Sequence, residues 1–100
     1  MEVELLYFEG CPNWQVADGR LAELAKEFGF GWRRTDVARD GAPVDPRFRG
    51  SPTILMDGRD PFLGAVPTSA LSCRLYPTPD GLSGSPTVAQ LRAALQNVAA

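Results

Sequence analysis

The sequence predicts one small α/β domain spanning residues 1–100, in the order β-α-β-(short α or loop)-β-β-α. Three features point there: a short apolar run at the N-terminus, a helical apolar stripe directly behind it, and a second such stripe at the C-terminal end. One hundred residues suit a single core of ordinary size.

Val3-Glu4-Leu5-Leu6-Tyr7-Phe8 is too short for a helix and nearly continuous in apolar character, the pattern of a buried strand, and Glu9 and Gly10 end it. Cys11 then stands as the cap of a helix, with Pro12 at its first position, where a missing N–H costs nothing. Trp14, Ala17, Leu21, Leu24, Ala25 and Phe28 recur at three- and four-residue spacing, and Gly29 supplies a stop. A second strand is expected over Phe30 to Val37, interrupted by Arg33 and Arg34. Residues 38–50 hold Gly41, Pro43, Pro46 and Gly50, so any helix there is short or absent. Thr53-Ile54-Leu55-Met56 reads as a compact strand closed by the turn signal Asp57-Gly58. Arg59 to Ser69 reads as a loop through Pro61, Gly64 and Pro67. Leu71-Ser72-Cys73-Arg74-Leu75-Tyr76 alternates apolar and polar residues, which suits a half-buried strand with Leu71, Cys73 and Leu75 on the core side. Pro77 to Gly84 is expected to be a further loop. Ser85 and Pro86 then open a last helix whose apolar face is Val88, Leu91, Leu95 and Val98. The tetrapeptide Gly-Ser-Pro-Thr occurs at 50–53 and again at 84–87, once before a strand and once before a helix. The two copies are therefore expected to share composition and not conformation.

Composition narrows the function. Hydrophobic residues make up 44% and charged residues 22% of the chain, ordinary globular values. The net charge of −2 and pI near 5.0 argue against a nucleic-acid partner, which a basic face would attract. No apolar run reaches the roughly 18–20 residues that span a bilayer, and no secretory signal is visible, so a cytoplasmic protein with no membrane partner is expected. The absence of histidine removes imidazole acid–base chemistry and His-dependent metal sites. Two cysteines are too few for a disulfide scaffold or a four-thiolate zinc site, and no metal site is expected. They leave three possibilities: a reactive thiol, a redox-switched pair, or two inert buried residues.

Cys11-Pro12-Asn13-Trp14 at the first strand-to-helix junction resembles the Cys-Pro-x-Cys motif of glutaredoxins, with Trp14 in place of the second cysteine. Ser51-Pro52-Thr53 resembles the cis-proline segment that faces the active-site cysteine in those proteins. By element order and these motifs the chain resembles the thioredoxin-like superfamily. With its Ser-Cys-Arg-x-Tyr segment it is also similar to small actinobacterial thioredoxin-like proteins sometimes labelled alkylmercury lyase-like. The resemblance implies a four-stranded mixed sheet and a cis Ser51–Pro52 bond, an ordinary trans-proline at a strand start being the alternative. It also implies that Ser51 offers its backbone N–H and C=O to an extended thiol-bearing substrate. The acidic Gly-Gly segment that holds glutathione in glutaredoxins is only loosely echoed by Asp80-Gly81 and Ser83-Gly84-Ser85.

At a helix N-terminus the Cys11 sulfur meets unpaired N–H groups and the positive end of the dipole, which favours its thiolate, while Glu9 opposes this if its carboxylate points inward. Cys11 is thus the candidate nucleophile. Trp14 removes the local resolving thiol, so resolution falls to Cys73 or to an external low-molecular-weight thiol such as mycothiol or glutathione. Pro12, Trp14, Ser51, Pro52 and Arg49 are the candidate substrate-binding residues; Trp14 either packs over the site or presents an aromatic binding surface, and Arg49, with Arg47, suits an anionic ligand or forms a solvated surface. Three functions remain open. One is thiol–disulfide exchange with a small thiol or a partner-protein cysteine. The others are a non-catalytic binding module beside Pro52, and soft-metal or organomercurial handling by Cys11 and Cys73.

Overall fold

The computed structural model describes residues 1–38, 45–62 and 71–99. A central strand, β1 (Val3–Tyr7), lies between β2 (Trp32–Asp36), to which it is parallel, and β3 (Thr53–Met56), to which it is antiparallel. Register places Val3 opposite Met56 and Leu5 opposite Ile54. With the two-residue period of a strand, these four side chains share one face. Onto that face pack Ala17, Leu21 and Leu24 of α1 (Asn13–Phe28) and Leu91 and Leu95 of α2 (Val88–Ala99), making the main core. Leu6 and Leu55 point to the other face, where Val37 and Phe48 cover them in a smaller cluster. β3 is therefore buried on both sides, as its unbroken apolar run requires.

Local chemistry explains the boundaries. α1 ends at Gly29, whose positive φ of 74° suits glycine and whose N–H returns to the Ala25 carbonyl at 2.8 Å. Met56 and Arg59 exchange both backbone hydrogen bonds around Asp57 and Gly58, which have φ of 51° and 80°, the signs a two-residue hairpin turn demands. Edge strand β2 carries its charges outward or into ion pairs, and Asp18 on α1 accepts from both Trp32 Nε1 and Arg34 Nε, at 2.8 and 2.7 Å. α2 starts with a capping box: Gln90 N–H donates to Thr87 Oγ1 at 3.1 Å, and Thr87 N–H donates to Gln90 Oε1 at 3.0 Å. The cap is thus Thr87, and the expected cap and first-turn pair, Ser85 and Pro86, lies before the helix. The two Gly-Ser-Pro-Thr copies differ in conformation: Thr53 opens β3 after a cis Ser51–Pro52 bond, whereas Thr87 caps α2.

The four-stranded sheet is corrected. Among the described residues the main sheet has three strands, ordered β2-β1-β3, and a separate two-stranded sheet follows. Among the described residues, Leu71 to Tyr76 does not add a strand to the main sheet: its backbone pairs with the residue two before β3 through an isolated parallel bridge between Ser51 and Cys73. The phase of the segment is also reversed. Leu71 and Leu75 are 46% and 43% exposed and Cys73 is exposed, while Arg74 and Tyr76 are each 1% exposed. Arg74 can take the inward phase because Asp60 and the Phe62 carbonyl receive its guanidinium. The expected loop after Tyr76 is instead a hairpin, β4 (Tyr76–Thr78) and β5 (Gly81–Ser83), turning through Pro79 and Asp80. The second strand is shorter than expected, and α1 begins at Asn13 with Pro12 at the cap position, although Pro12 already has helical φ and ψ of −71° and −11°. Of the expected short helix or loop over 38–50, residues 39–44 lie outside the described residues, as do 63–70 around the expected loop ending at Ser69.

Gly84 couples this hairpin to α1. A Cβ at Gly84 would overlap the carboxamide of Asn13 and come within 3.0 Å of its Cβ. Gly84→Ala is expected to cost about 1–3 kcal/mol by overpacking. Chemical denaturation reads the loss, and adding Asn13→Gly should recover most of it.

Candidate functional site

The site grows from the end of β1. Phe8 accepts the Cys11 N–H at 3.2 Å, turning the chain so that Cys11 lies just ahead of α1. On the opposite wall, the Ser51 hydroxyl accepts the Phe8 N–H at 3.4 Å, and Ser51 and Pro52 are buried. Ser51 pairs with the protein's own chain through the backbone groups that the resemblance implies for a substrate. Its N–H donates to the Ser72 carbonyl and its carbonyl accepts the Arg74 N–H, each at 2.9 Å. Between those two contacts stands Cys73, and its sulfur is bonded to that of Cys11, with a Cα–Cα separation of 5.7 Å. That spacing is ordinary for a disulfide. The two cysteines are unequal: Cys11 is 0% exposed, whereas Cys73 is an exposed residue. The Cys11 sulfur also lies 3.6 Å from the Ser51 carbonyl oxygen.

A buried polar cluster holds residues 72–76 in place. Arg74 Nη1 meets Asp60 Oδ2 at 2.6 Å, Nη2 donates to the Phe62 carbonyl at 2.6 Å, and the guanidinium carbon lies 4.8 Å from the centre of the Tyr76 ring. Tyr76 donates its hydroxyl proton to the Pro52 carbonyl. Burial pushes the Tyr76 hydroxyl well above its ordinary range, more than the Arg74 charge pulls it down. A raised folded-state value means that this contribution to stability is complete below the unfolded value near 10 and is lost as pH rises beyond it. Wild type is expected to lose about 1.4 kcal/mol per pH unit above pH 10 from this one proton. Tyr76→Phe should lack that component, a difference in slope readable by urea unfolding at a series of alkaline pH values.

The remaining candidates are distributed unevenly. Trp14 stacks on Tyr7, with ring centroids 4.2 Å apart and planes inclined by 27°, and packs against the main core. Its Nε1, like Arg74 Nε, is buried without a hydrogen-bond partner among the described residues. Pro12 is exposed beside Cys11. Arg47 is engaged by Asp45 and Glu4, and its hydrogen bonds hold the Asp45 carboxyl below its usual range. Arg49 is exposed, uses its backbone N–H on Thr53 Oγ1 at 3.0 Å, and has no ion-pair partner among the described residues. Sequence reasoning missed Asp60 and Tyr76 and did not anticipate a buried Arg74. Their one visible signal is the i, i+2 spacing of Arg74 and Tyr76, which puts both on one face of an extended segment.

No group of three or more Cys, Asp or Glu side chains is placed to hold a metal ion among the described residues. With the two sulfurs bonded to each other, neither offers a free thiolate to a soft metal in this state. A cavity of about 900 Å³ lies between Met56–Phe62 and α2 and borders neither cysteine. No helix among the described residues is long and apolar enough to cross a membrane. Compared with known proteins, the chain matches no family model, no curated protein and no solved structure.

Proposed function

We propose that this chain is a small thiol–disulfide exchange protein whose working unit is the Cys11–Cys73 pair. The observation that carries the reading is the bonded pair itself, assembled across the Ser51 bridge from segments far apart in sequence. Two outside thiols open the bond: one forms a mixed disulfide with the protein as the other protein sulfur leaves as thiolate. The second thiol attacks the outer sulfur of that adduct, releasing an external disulfide and a protein dithiol. Run in reverse, the same steps pass two electrons from the dithiol to an external disulfide. The Ser51 backbone keeps Cys73 beside Cys11, so the dithiol is poised to close again. The outside thiol is a low-molecular-weight compound of the glutathione or mycothiol type or a partner-protein cysteine. In the reducing cytoplasm, where we place the protein, such thiols are plentiful.

The resemblance of Cys11-Pro12-Asn13-Trp14 and Ser51-Pro52-Thr53 to glutaredoxin motifs agrees with this chemistry. A binding module that adds a partner strand at Ser51 is less well supported, because both backbone groups of Ser51 are already engaged by residues 72 and 74. The test is the rate of exchange between glutathione and a small aliphatic disulfide. Wild type is expected to accelerate it by about tenfold or more through proximity, and Cys11→Ser and Cys73→Ser to lose that gain. Equal rates in all three proteins would reject the proposal.

A further inference from the structure

Exchange at a disulfide requires the incoming thiolate to reach one sulfur along the line of the bond and to expel the other. In this protein the two ends of the bond differ in access. Cys11 is 0% exposed, enclosed between the start of α1 and the buried Ser51, and the Ser51 carbonyl oxygen stands 3.6 Å from its sulfur. An approaching anion would have to displace that wall and would meet a carbonyl dipole with its negative end forward. Cys73 lies on the outward phase of its segment, between exposed Leu71 and Leu75, with no acidic neighbour within two residues along the chain. The inward-facing residues that follow it, Arg74 and Tyr76, are anchored to Asp60, Phe62 and Pro52, and the Ser72 carbonyl before it is held by the Ser51 N–H, so the segment keeps Cys73 on its exposed phase.

Resting on the exchange function proposed above, we infer that Cys73 is the catalytic sulfur that meets the outside thiol, and that Cys11 is the buried leaving and resolving thiol. An external thiolate forms a sulfur–sulfur bond to Cys73 while the Cys11–Cys73 bond breaks, and the electron pair of the broken bond stays on Cys11 as thiolate at the helix start. Reversal follows the same path. The Cys73 thiolate of the reduced protein attacks an external disulfide and expels one of its thiolates, and Cys11 then attacks the Cys73 sulfur and expels the other. The order of roles is the opposite of the one the Cys-Pro-x-x motif implies for Cys11.

Oxidised wild-type protein mixed with glutathione, quenched in acid at successive early times and digested for peptide mass mapping, decides the matter. The earliest adduct is expected on Cys73, in at least about tenfold excess over Cys11, as access governs exchange. An early adduct that is equal on both residues or favours Cys11 overturns the assignment and leaves the exchange function standing. A disulfide that never opens under excess glutathione overturns both, and is told apart by the absence of adduct on either cysteine.

Discussion

Replacing Cys73 with serine is expected to lower the stability of the oxidised protein by about 2–4 kcal/mol. The bond joins positions separated by 62 residues, a span that encloses α1, β2 and β3. In the chain-entropy account, cross-linking a loop of that size stabilises by about 4 kcal/mol. The lower end of the range applies because residues 72–74 keep their Ser51 hydrogen bonds and the Arg74 anchor when the sulfur is gone. For a chain of this length the loss corresponds to a fall in Tm on the order of 10–25 °C. Thermal unfolding of oxidised wild type, reduced wild type and Cys73→Ser checks it. The last two should coincide and both lie well below the first. A difference under about 0.5 kcal/mol, the scatter of ordinary surface substitutions, would show that the bond is energetically idle.

Asp60→Ala is expected to be more damaging still, by about 3–5 kcal/mol. The Arg74 side chain is 0% exposed and its ion pair with Asp60 is 94% hidden on the carboxylate side, Asp60 being 6% exposed. Removing the carboxylate leaves a guanidinium in a low-dielectric site with, among the described residues, the Phe62 carbonyl and the Tyr76 ring against it. That is the costly half of a buried pair: the desolvation remains and the attraction is lost. The double variant Asp60→Ala/Arg74→Met should recover most of the loss, because it deletes the stranded charge along with its partner. Urea denaturation of the two single variants and the double closes the cycle. A harmless Asp60→Ala would mean that Arg74 is not held as described, and the inward phase of residues 74 and 76 would lose its explanation.

Much of the scaffold is legible in the sequence because it is written in local patterns. β1 and β3 are apolar runs of strand length, α1 and α2 carry stripes at helical spacing, and Gly29 and Asp57-Gly58 sit where positive φ is needed. The Ser51–Pro52 bond is cis, the isomer the resemblance of its segment implies, where the residues alone left a trans-proline at a strand start open. The errors arise where a long-range partner decides. Reading Leu71, Cys73 and Leu75 as the core face is the natural use of alternation, yet the inward residues are Arg74 and Tyr76. Their burial depends on Asp60, Phe62 and Pro52, which no periodicity reveals. The β4–β5 hairpin hides behind Pro77, Pro79 and Gly81, loop-forming residues that leave only three-residue strands. Cys11 and Trp14 are equally instructive. The resemblance marks Cys11 as a candidate nucleophile, whereas the residue is 0% exposed and bonded to Cys73, and Trp14 is held by Tyr7 and the core.

The most direct test of the account is the equilibrium titration of the Cys11–Cys73 pair against mixtures of reduced and oxidised glutathione, trapped by alkylation and read by intact mass. A two-electron transition with a midpoint between about −180 and −270 mV, the range of exchange proteins, is the predicted result. A pair that stays oxidised to below about −300 mV would be a structural cross-link and would contradict the exchange function.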